Sequence, residues 1–294
     1  YMWQSHDGWY AAYRVWLLAQ LWTSGEWGAM HWLPQLIEGY GYPMFLFYPP
    51  LAYGIAAGGV TLLGLPAGAA TKLSFWAALT LSGLFVLLLG RTLARRRPCD
   101  HAAWWSLAAA LMYALAPYHM VDTFVRGSLA QCWAWAAFAA VVWSVELART
   151  RPLAGFAAVA FSYAALILRH IAIALFGTIV IAVYVLLTFR DGRPLLRWVS
   201  GVLAGGGLTA FYWLPVQTLM PWVIGGFDPA HVWVSAADMN RNALAWGQFL
   251  LETPGRNGHT HGIASDLGLN PGVVNIAFVV LAIFAVFRPG LTRR

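Results

Sequence analysis

Near the beginning of the chain, His6-Asp7-Gly8-Trp9 runs into an aromatic-rich stretch, Trp9 to Trp22, that carries Arg14 and Gln20 among Trp, Tyr and Leu residues. Aromatics of this kind settle at the membrane headgroup level. A carboxylate ahead of such a helix and next to an imidazole is placed to take a proton from a hydroxyl arriving along the lipid surface. The position also suits a helix cap, with the Asp7 carboxylate accepting a backbone N–H of the first turn; both roles are open at this point. Further along, Gly39-Tyr40-Gly41-Tyr42-Pro43 leads into Phe47-Tyr48-Pro49-Pro50-Leu51. Gly and Pro there set an irregular path, and the rings can stack on sugar, line a lipid groove or stiffen an interfacial loop. Arg126, close after Asp122, and Arg169, followed by His170, stand at the ends of apolar blocks. A guanidinium in that position can grip a phosphate in bidentate fashion or snorkel to lipid headgroups. His259-x-His261 with Asp266 is a weak divalent-metal pattern, and no metal ligand is assigned from it.

The elements that must position these groups are membrane helices. Sixty per cent of the 294 residues are hydrophobic and 10% are charged, against roughly a quarter charged in an ordinary globular domain. Apolar blocks of about 16 to 21 residues match what is needed to cross about 30 Å of hydrocarbon. They lie at 70–90, 102–117, 128–147, 153–169, 171–188, 198–215 and 272–288. The net charge of +7 does not point to nucleic acid, because Lys72 is the only lysine and the arginines sit mostly at the ends of apolar blocks, where they set topology. Cys99 and Cys132 are separated by a whole span, so no disulfide is expected. The Gly205-Gly206-Gly207 run lies inside a span, where it permits close helix packing. The chain opens Tyr1-Met2-Trp3-Gln4 without a signal-peptide pattern, and an upstream span is expected to be missing.

Arginines 91, 95, 96 and 97, then 149 and 151, then 190, 193 and 197, and finally 288, 293 and 294 occupy every second gap between these blocks. The positive-inside rule places all four groups in the cytoplasm. The short segment Leu51 to Leu65 is then read as a re-entrant or outer-leaflet helix. Residues 1–69 form an extracytoplasmic loop with juxtamembrane helices, 70–215 a core of six spans, 216–271 a second extracytoplasmic loop, and 272–294 the last span and tail. Most of the acids and all histidines except His101 fall on the outer side, which marks it as the working face.

Several of these segments together resemble a family. His6-Asp7 with Arg14, the Trp32-Leu33-Pro34 turn, Gly39-Tyr40-Gly41-Tyr42-Pro43 and Tyr48-Pro49-Pro50-Leu51 look like the first outer loop of membrane proteins labelled 6-pyruvoyl-tetrahydropterin synthase-related. Ala116-Pro117-Tyr118 with Val125-Arg126-Gly127, Leu168-Arg169-His170, and Phe211-Tyr212-Trp213-Leu214-Pro215 resemble it further along, so the likeness covers most of the chain. The family is similar in plan to GT-C glycosyltransferases, which use polyprenyl-phosphate sugars; the pterin label implies no pterin chemistry. The resemblance implies an all-α, polytopic transmembrane bundle in which the acid of the first outer loop, matched by Asp7, is a base or metal-site residue. The chain departs from the pattern in lacking the first span, in ending soon after the 272–288 span, and in carrying Leu168-Arg169-His170-Ile171 where a Thr-His-Asn-like turn is expected.

The expected function is thus inverting transfer of a sugar from a polyprenyl-phosphate donor at the extracytoplasmic face. Asp7 is expected to be catalytic, and His6, Arg14, Tyr40, Tyr42, Tyr48, Arg126, Arg169 and His170 are the expected substrate contacts. Membrane lipid is the surrounding partner, nucleic acid is not one, and a divalent metal ion stays an open question. The competing readings are a lipid-linked glycan transporter or flippase and a non-catalytic membrane subunit. A transporter needs polar groups along a path through the membrane, for which Ser74, Thr80, Ser82 and Thr178 are the main candidates.

Overall fold

A computed structural model describes residues 5–26, 32–96, 98–189 and 192–219, with positions 221, 276 and 277. The apolar block that opens near Leu129 is the axis of the fold. It forms α7 (Leu129–Thr150), whose alanines at 130, 134, 137 and 148 let neighbouring helices close in on all sides. Along one flank lies α4 (Ala67–Arg96) and along another α8 (Pro152–Ile167), which returns from α7 after a turn at Arg151. Gly155 makes that turn tight: a Cβ there would sit 2.1 Å from the Ala148 Cα. Helix α9 (Ile171–Thr188) follows α8, and α10 (Gly192–Leu208) packs on α8 through Gly201 and Gly205. Of the glycine run expected to permit close packing, Gly205 does so against the Ala160 carbonyl, whereas a Cβ on Gly206 or Gly207 would meet no atom within 4 Å among the described residues.

The described residues ahead of α4 pack against this group. Helix α1 (Gly8–Thr23) buries Ala11, Val15, Leu18 and Ala19 and turns Trp9, Tyr13 and Trp16 outward at helical spacing. That aromatic stripe is what an interfacial helix requires. Between α1 and α4 lie the short α2 (Met44–Phe47) and α3 (Leu51–Leu63), the latter packed on both α1 and α4. Helix α5 (Ala102–Ala114) lies along α4 and is followed by α6 (Pro117–Met120) and a π-helical segment, Val121–Arg126.

Among the described residues, α4, α7 and α9 are long and apolar enough to cross a membrane, and α10 with α11 (Ala210–Leu219) makes a fourth if that bent pair is one span. Helices α3, α5 and α8 are apolar but shorter. Three expected blocks differ in their bounds. The 102–117 block stops at Ala114, because Pro117 forces Ala116 into an extended conformation (ψ 137°) and starts a new helix. The 153–169 block ends at Ile167. The 198–215 block is bent by 67° at Thr209; there the Thr209 hydroxyl donates to the Gly205 and Gly206 carbonyls, its N–H donates to Gly206 instead of to Gly205, and the Trp213 indole N–H also donates to Gly206. The expected 272–288 span and nearly all of the 216–271 loop, with His259, His261 and Asp266, lie outside the described residues.

The two ends of α7 differ in chemistry. At 22 residues it is about 33 Å long, close to the hydrocarbon thickness of a bilayer. At its C-terminal end, Glu146 (1% exposed) is held by Arg96 at 2.6 Å, Arg149 at 3.3 Å and the Tyr184 hydroxyl, while Arg197 donates to the Ala148 carbonyl at 3.0 Å. These contacts gather α4, α7, α9 and α10 and bring three of the arginine groups to one end of the bundle. The opposite end of α7 carries the candidate site.

Candidate functional site

The site starts from a backbone pairing between chain segments more than a hundred residues apart. His6 N–H donates to the Val125 carbonyl (3.1 Å) and Asp7 N–H to the Arg126 carbonyl (2.7 Å). The pairing depends on Gly127, which has φ +72° and packs so closely that a Cβ would lie 2.6 Å from both the Gly8 nitrogen and the Ser5 hydroxyl. The Ser5 hydroxyl in turn accepts the Gly8 N–H at 3.2 Å. Asp7 occupies the cap position of α1, yet its side chain makes no capping hydrogen bond. Of the two roles open to Asp7, its side chain does not take the cap: Ser5 accepts a donor at the helix start, and the Asp7 carboxylate, 47% exposed, has Oδ2 3.8 Å from Arg126 Nε.

Arg126 is fixed from behind. Its guanidinium donates to Gln131 Oε1 and lies 3.6 Å from Asp122 Oδ1, and Gln131 Nε2 donates to the Tyr118 hydroxyl at 3.0 Å. Asp122 is buried at the base of this group, with Oδ2 accepting the Trp135 indole N–H at 3.0 Å. Burial pushes its carboxyl up to about 6, opposed by the Trp135 hydrogen bond and the Arg126 charge. Beside it His119 is stacked on Trp135 and edge-on to Tyr113, and burial lowers its imidazole to about 4. His119 is thus a neutral packing residue.

Two more guanidiniums face the same space. Arg14, from α1, lies 3.8 Å over the Tyr48 ring and donates to the Tyr53 hydroxyl at 3.0 Å; its buried Nε has no hydrogen-bond partner among the described residues. Arg169, in the turn between α8 and α9, lies 4.8 Å over the Trp133 ring, and its buried Nε also lacks a hydrogen-bond partner among the described residues. That turn is tied to the first segment by a hydrogen bond from Leu51 N–H to the Leu168 carbonyl at 3.1 Å. His170 caps α9, its Nδ1 accepting the Ile173 N–H at 3.4 Å. Because Nδ1 accepts that bond, the ring proton sits on Nε2, which is then a donor; burial, and then the charge of Arg126, lower the imidazole below its usual range.

Asp7, Arg14, Tyr48, Arg126, Arg169 and His170 line one open pocket of about 280 Å³. Three guanidiniums and one half-exposed carboxylate share its lining, a charge set that could bind an anion and offer a proton acceptor beside it. The other three expected contacts lie elsewhere. His6 is exposed and contributes its backbone. Tyr40 is 82% exposed at a turn, and Tyr42 exchanges backbone hydrogen bonds with Leu33. Gly39 and Gly41 have φ of +93° and +82°, and a Cβ on Gly41 would strike the Trp32 ring at 2.6 Å, so this Gly/Tyr segment builds a hairpin-like turn that seats Leu33 in the core. Sequence reasoning did not assign Asp122, Gln131 or Tyr53 to the site. Their signal was polarity inside apolar surroundings, which for Gln131 and Asp122 means burial with a partner.

Among the described residues no three His, Cys, Asp or Glu side chains gather as a metal site would require. Comparisons of the chain with protein-family models, with curated proteins and with solved structures returned no match.

Proposed function

We propose that the chain is a membrane glycosyltransferase of the GT-C type, moving a sugar from a polyprenyl-phosphate donor to an acceptor hydroxyl at the extracytoplasmic face. The observation that carries this reading is one pocket lined by Arg14, Arg126, Arg169 and the Asp7 carboxylate, with Asp7 3.8 Å from Arg126. Its place supports the reading as well. A bilayer-length helix separates it from the arginine cluster at Glu146, so a seven-span bundle with that cluster in the cytoplasm puts the pocket at the outer surface, where a lipid-linked donor presents its head.

In the reaction the acceptor oxygen attacks the anomeric carbon as the bond from that carbon to the phosphate oxygen breaks, with inversion. The phosphate departs with the bonding electrons, and the acceptor proton passes to an Asp7 carboxylate oxygen. The guanidiniums of Arg126 and Arg169 and the Nε2–H of His170 stabilise the negative charge that gathers on the leaving phosphate. Gln131 and Asp122 hold Arg126 in place for that role. Tyr48, stacked against Arg14, offers one ring face at the pocket wall for a sugar.

Of the four polar groups a transporter path would use, three are engaged internally and Thr80 is exposed. Ser74 accepts the Trp133 indole N–H, Ser82 donates to the Leu79 carbonyl, and Thr178 bonds to the Ala174 carbonyl and the Tyr163 hydroxyl. A non-catalytic lipid-binding subunit would share the cationic pocket and differ only in having no use for Asp7. Incubating the reconstituted protein with a radiolabelled polyprenyl-phosphate sugar and acceptor separates these readings. Labelled product together with free polyprenyl phosphate is the expected result; donor that binds and stays intact would favour the subunit.

A further inference from the structure

Of the three guanidiniums in the pocket, Arg14 takes no part in the departure of the phosphate, and its surroundings set it apart. Arg126 is answered by two carboxylates, Asp122 at 3.6 Å and Asp7 at 3.8 Å. Among the described residues Arg14 has no carboxylate within ion-pair reach, and a single acceptor, the Tyr53 hydroxyl at 3.0 Å, serves a group with five N–H donors. Tyrosine rings hold it instead: its guanidinium carbon lies 3.8 Å over Tyr48, 5.5 Å from the Tyr53 ring and 6.0 Å from that of Tyr10. These contacts fix the side chain without neutralising it. A half-buried cation with no counter-charge of its own is costly to keep, which makes it a place for an anion that arrives from outside the chain.

The position of Asp7 says what that anion belongs to. Residues 7, 11 and 14 share one face at the start of α1, and the small, buried Ala11 lines the pocket between the two charged residues. Asp7 and Arg14 are about 10 Å apart along the helix axis, and both lie within electrostatic range of the Tyr53 hydroxyl. On its other side Asp7 meets Arg126, whose charge in turn reaches His170. Asp7 thus borders two groups, Arg126 with His170 and Arg14 with Tyr53. In a transfer with inversion, the acceptor and the leaving phosphate stand on opposite sides of the anomeric carbon. With the phosphate at Arg126, Arg169 and His170 and the acceptor hydroxyl at Asp7, the cation left for the acceptor is Arg14. We propose that Arg14 binds an acid group of the acceptor, so that the molecule glycosylated is an anion, a sugar bearing a carboxylate or a phosphate, whose attacking hydroxyl stands at Asp7. The proposal rests on the reading of this pocket as a transferase site.

The test is binding of methyl glycosides to the protein in dioleoylphosphatidylcholine nanodiscs, followed by saturation-transfer NMR with decaprenyl monophosphate in excess to fill the phosphate subsite. The probes are methyl glucoside, methyl glucuronide and methyl glucoside 6-phosphate, which differ in the group at one carbon. The parent should bind each acidic glycoside about tenfold more tightly than the neutral one, the size of one charge-assisted hydrogen bond. The tighter of the two names the acid the acceptor carries. Arg14→Gln, whose amide can still donate to the Tyr53 hydroxyl, should lose the preference for acid yet still bind decaprenyl monophosphate, which also shows that it is folded. Arg14→Lys, which keeps the charge, should retain a preference. Arg169→Gln should weaken binding of decaprenyl monophosphate by about tenfold and keep the preference. Equal binding of acidic and neutral glycosides by the parent overturns the proposal. Displacement of decaprenyl monophosphate by the acidic glycosides, or loss of the preference in Arg169→Gln as in Arg14→Gln, overturns it too, since both anions would then share one subsite. Failure of the parent to bind decaprenyl monophosphate overturns the pocket reading beneath it.

Discussion

Replacing Gly127 with Ala should peel the segment that carries Asp7 away from Arg126 without unfolding the protein. An Ala at φ +72° costs about 1–2 kcal/mol in backbone strain. Its Cβ would also stand 2.6 Å from the Gly8 nitrogen and 2.8 Å from the Gly8 Cα, backbone atoms that cannot rotate aside, and overpacking of this kind costs about 1–3 kcal/mol. Against this the pairing of the two segments offers the His6 and Asp7 backbone hydrogen bonds, each worth about 1 kcal/mol net. Separation is the cheaper outcome, and it is local because α1 stays anchored by buried Val15, Leu18 and Ala19. Spin labels at His6 and Phe124, both exposed, report it as a narrow distance distribution in the parent and a broad one in Gly127→Ala. Sugar transfer should fall by about 10²-fold or more, as displacement of a reacting group by about 1 Å can do. Gly127→Asn tolerates the left-handed backbone but carries the same Cβ, so it should behave like Ala. A narrow distribution in both variants would refute the reasoning.

Arg126→Ala should weaken donor binding more than acceptor binding, and Arg126→Lys should recover little, because one ammonium cannot serve Gln131, Asp122 and a phosphate as the planar fork does; equal loss toward both substrates would assign Arg126 a folding role. Asp122, raised to about 6 by burial, binds its proton more readily in the folded than in the unfolded chain. The stability this confers is full below about pH 4 and is lost as pH rises through about 6, so the thermal midpoint should rise as pH falls from about 7 to about 5 by an amount worth about 1 kcal/mol, a rise that Asp122→Asn abolishes. Single cysteines replacing Arg96 and Tyr40 should be labelled from opposite sides of intact cells, position 40 by a membrane-impermeant reagent and position 96 only after permeabilisation; labelling of position 96 in intact cells reverses the topology.

How far the sequence carried the fold depended on the range of the forces involved. The long apolar blocks of α4, α7 and α9 were legible from hydropathy, because a span must satisfy the bilayer along its own length. The 67° bend at Thr209 was not, since it depends on which carbonyls Thr209 and Trp213 capture. In the site, Arg126, Arg169 and Asp7 were legible as ionisable groups at the ends of apolar blocks. That Asp7 leaves capping aside was hidden, because it turns on Ser5 and on Gly127 pressing against Gly8 from a distant segment. Tyr40 and Tyr42 drew attention through aromatic chemistry, whereas the glycines around them fold the turn and hold those rings away from the pocket. Gln131 is a single polar residue at the start of α7, and its role appears only once Arg126 and Tyr118 are seen on either side of it.

The most direct test of the central claim is the rate of sugar transfer by Asp7→Asn, measured beside its thermal stability. The Asp7 side chain caps no helix, and its ion-pair partner is Arg126 at 3.8 Å, with the two side chains 47% and 33% exposed. A pair so open to solvent is worth about 0.2–1 kcal/mol, so the variant should remain folded with a stability change inside that range. Its transfer rate should fall by about 10² to 10⁴-fold, because Asn cannot take the acceptor proton. Transfer at near the parent rate by a folded Asp7→Asn protein would contradict the account and remove Asp7 from the chemistry.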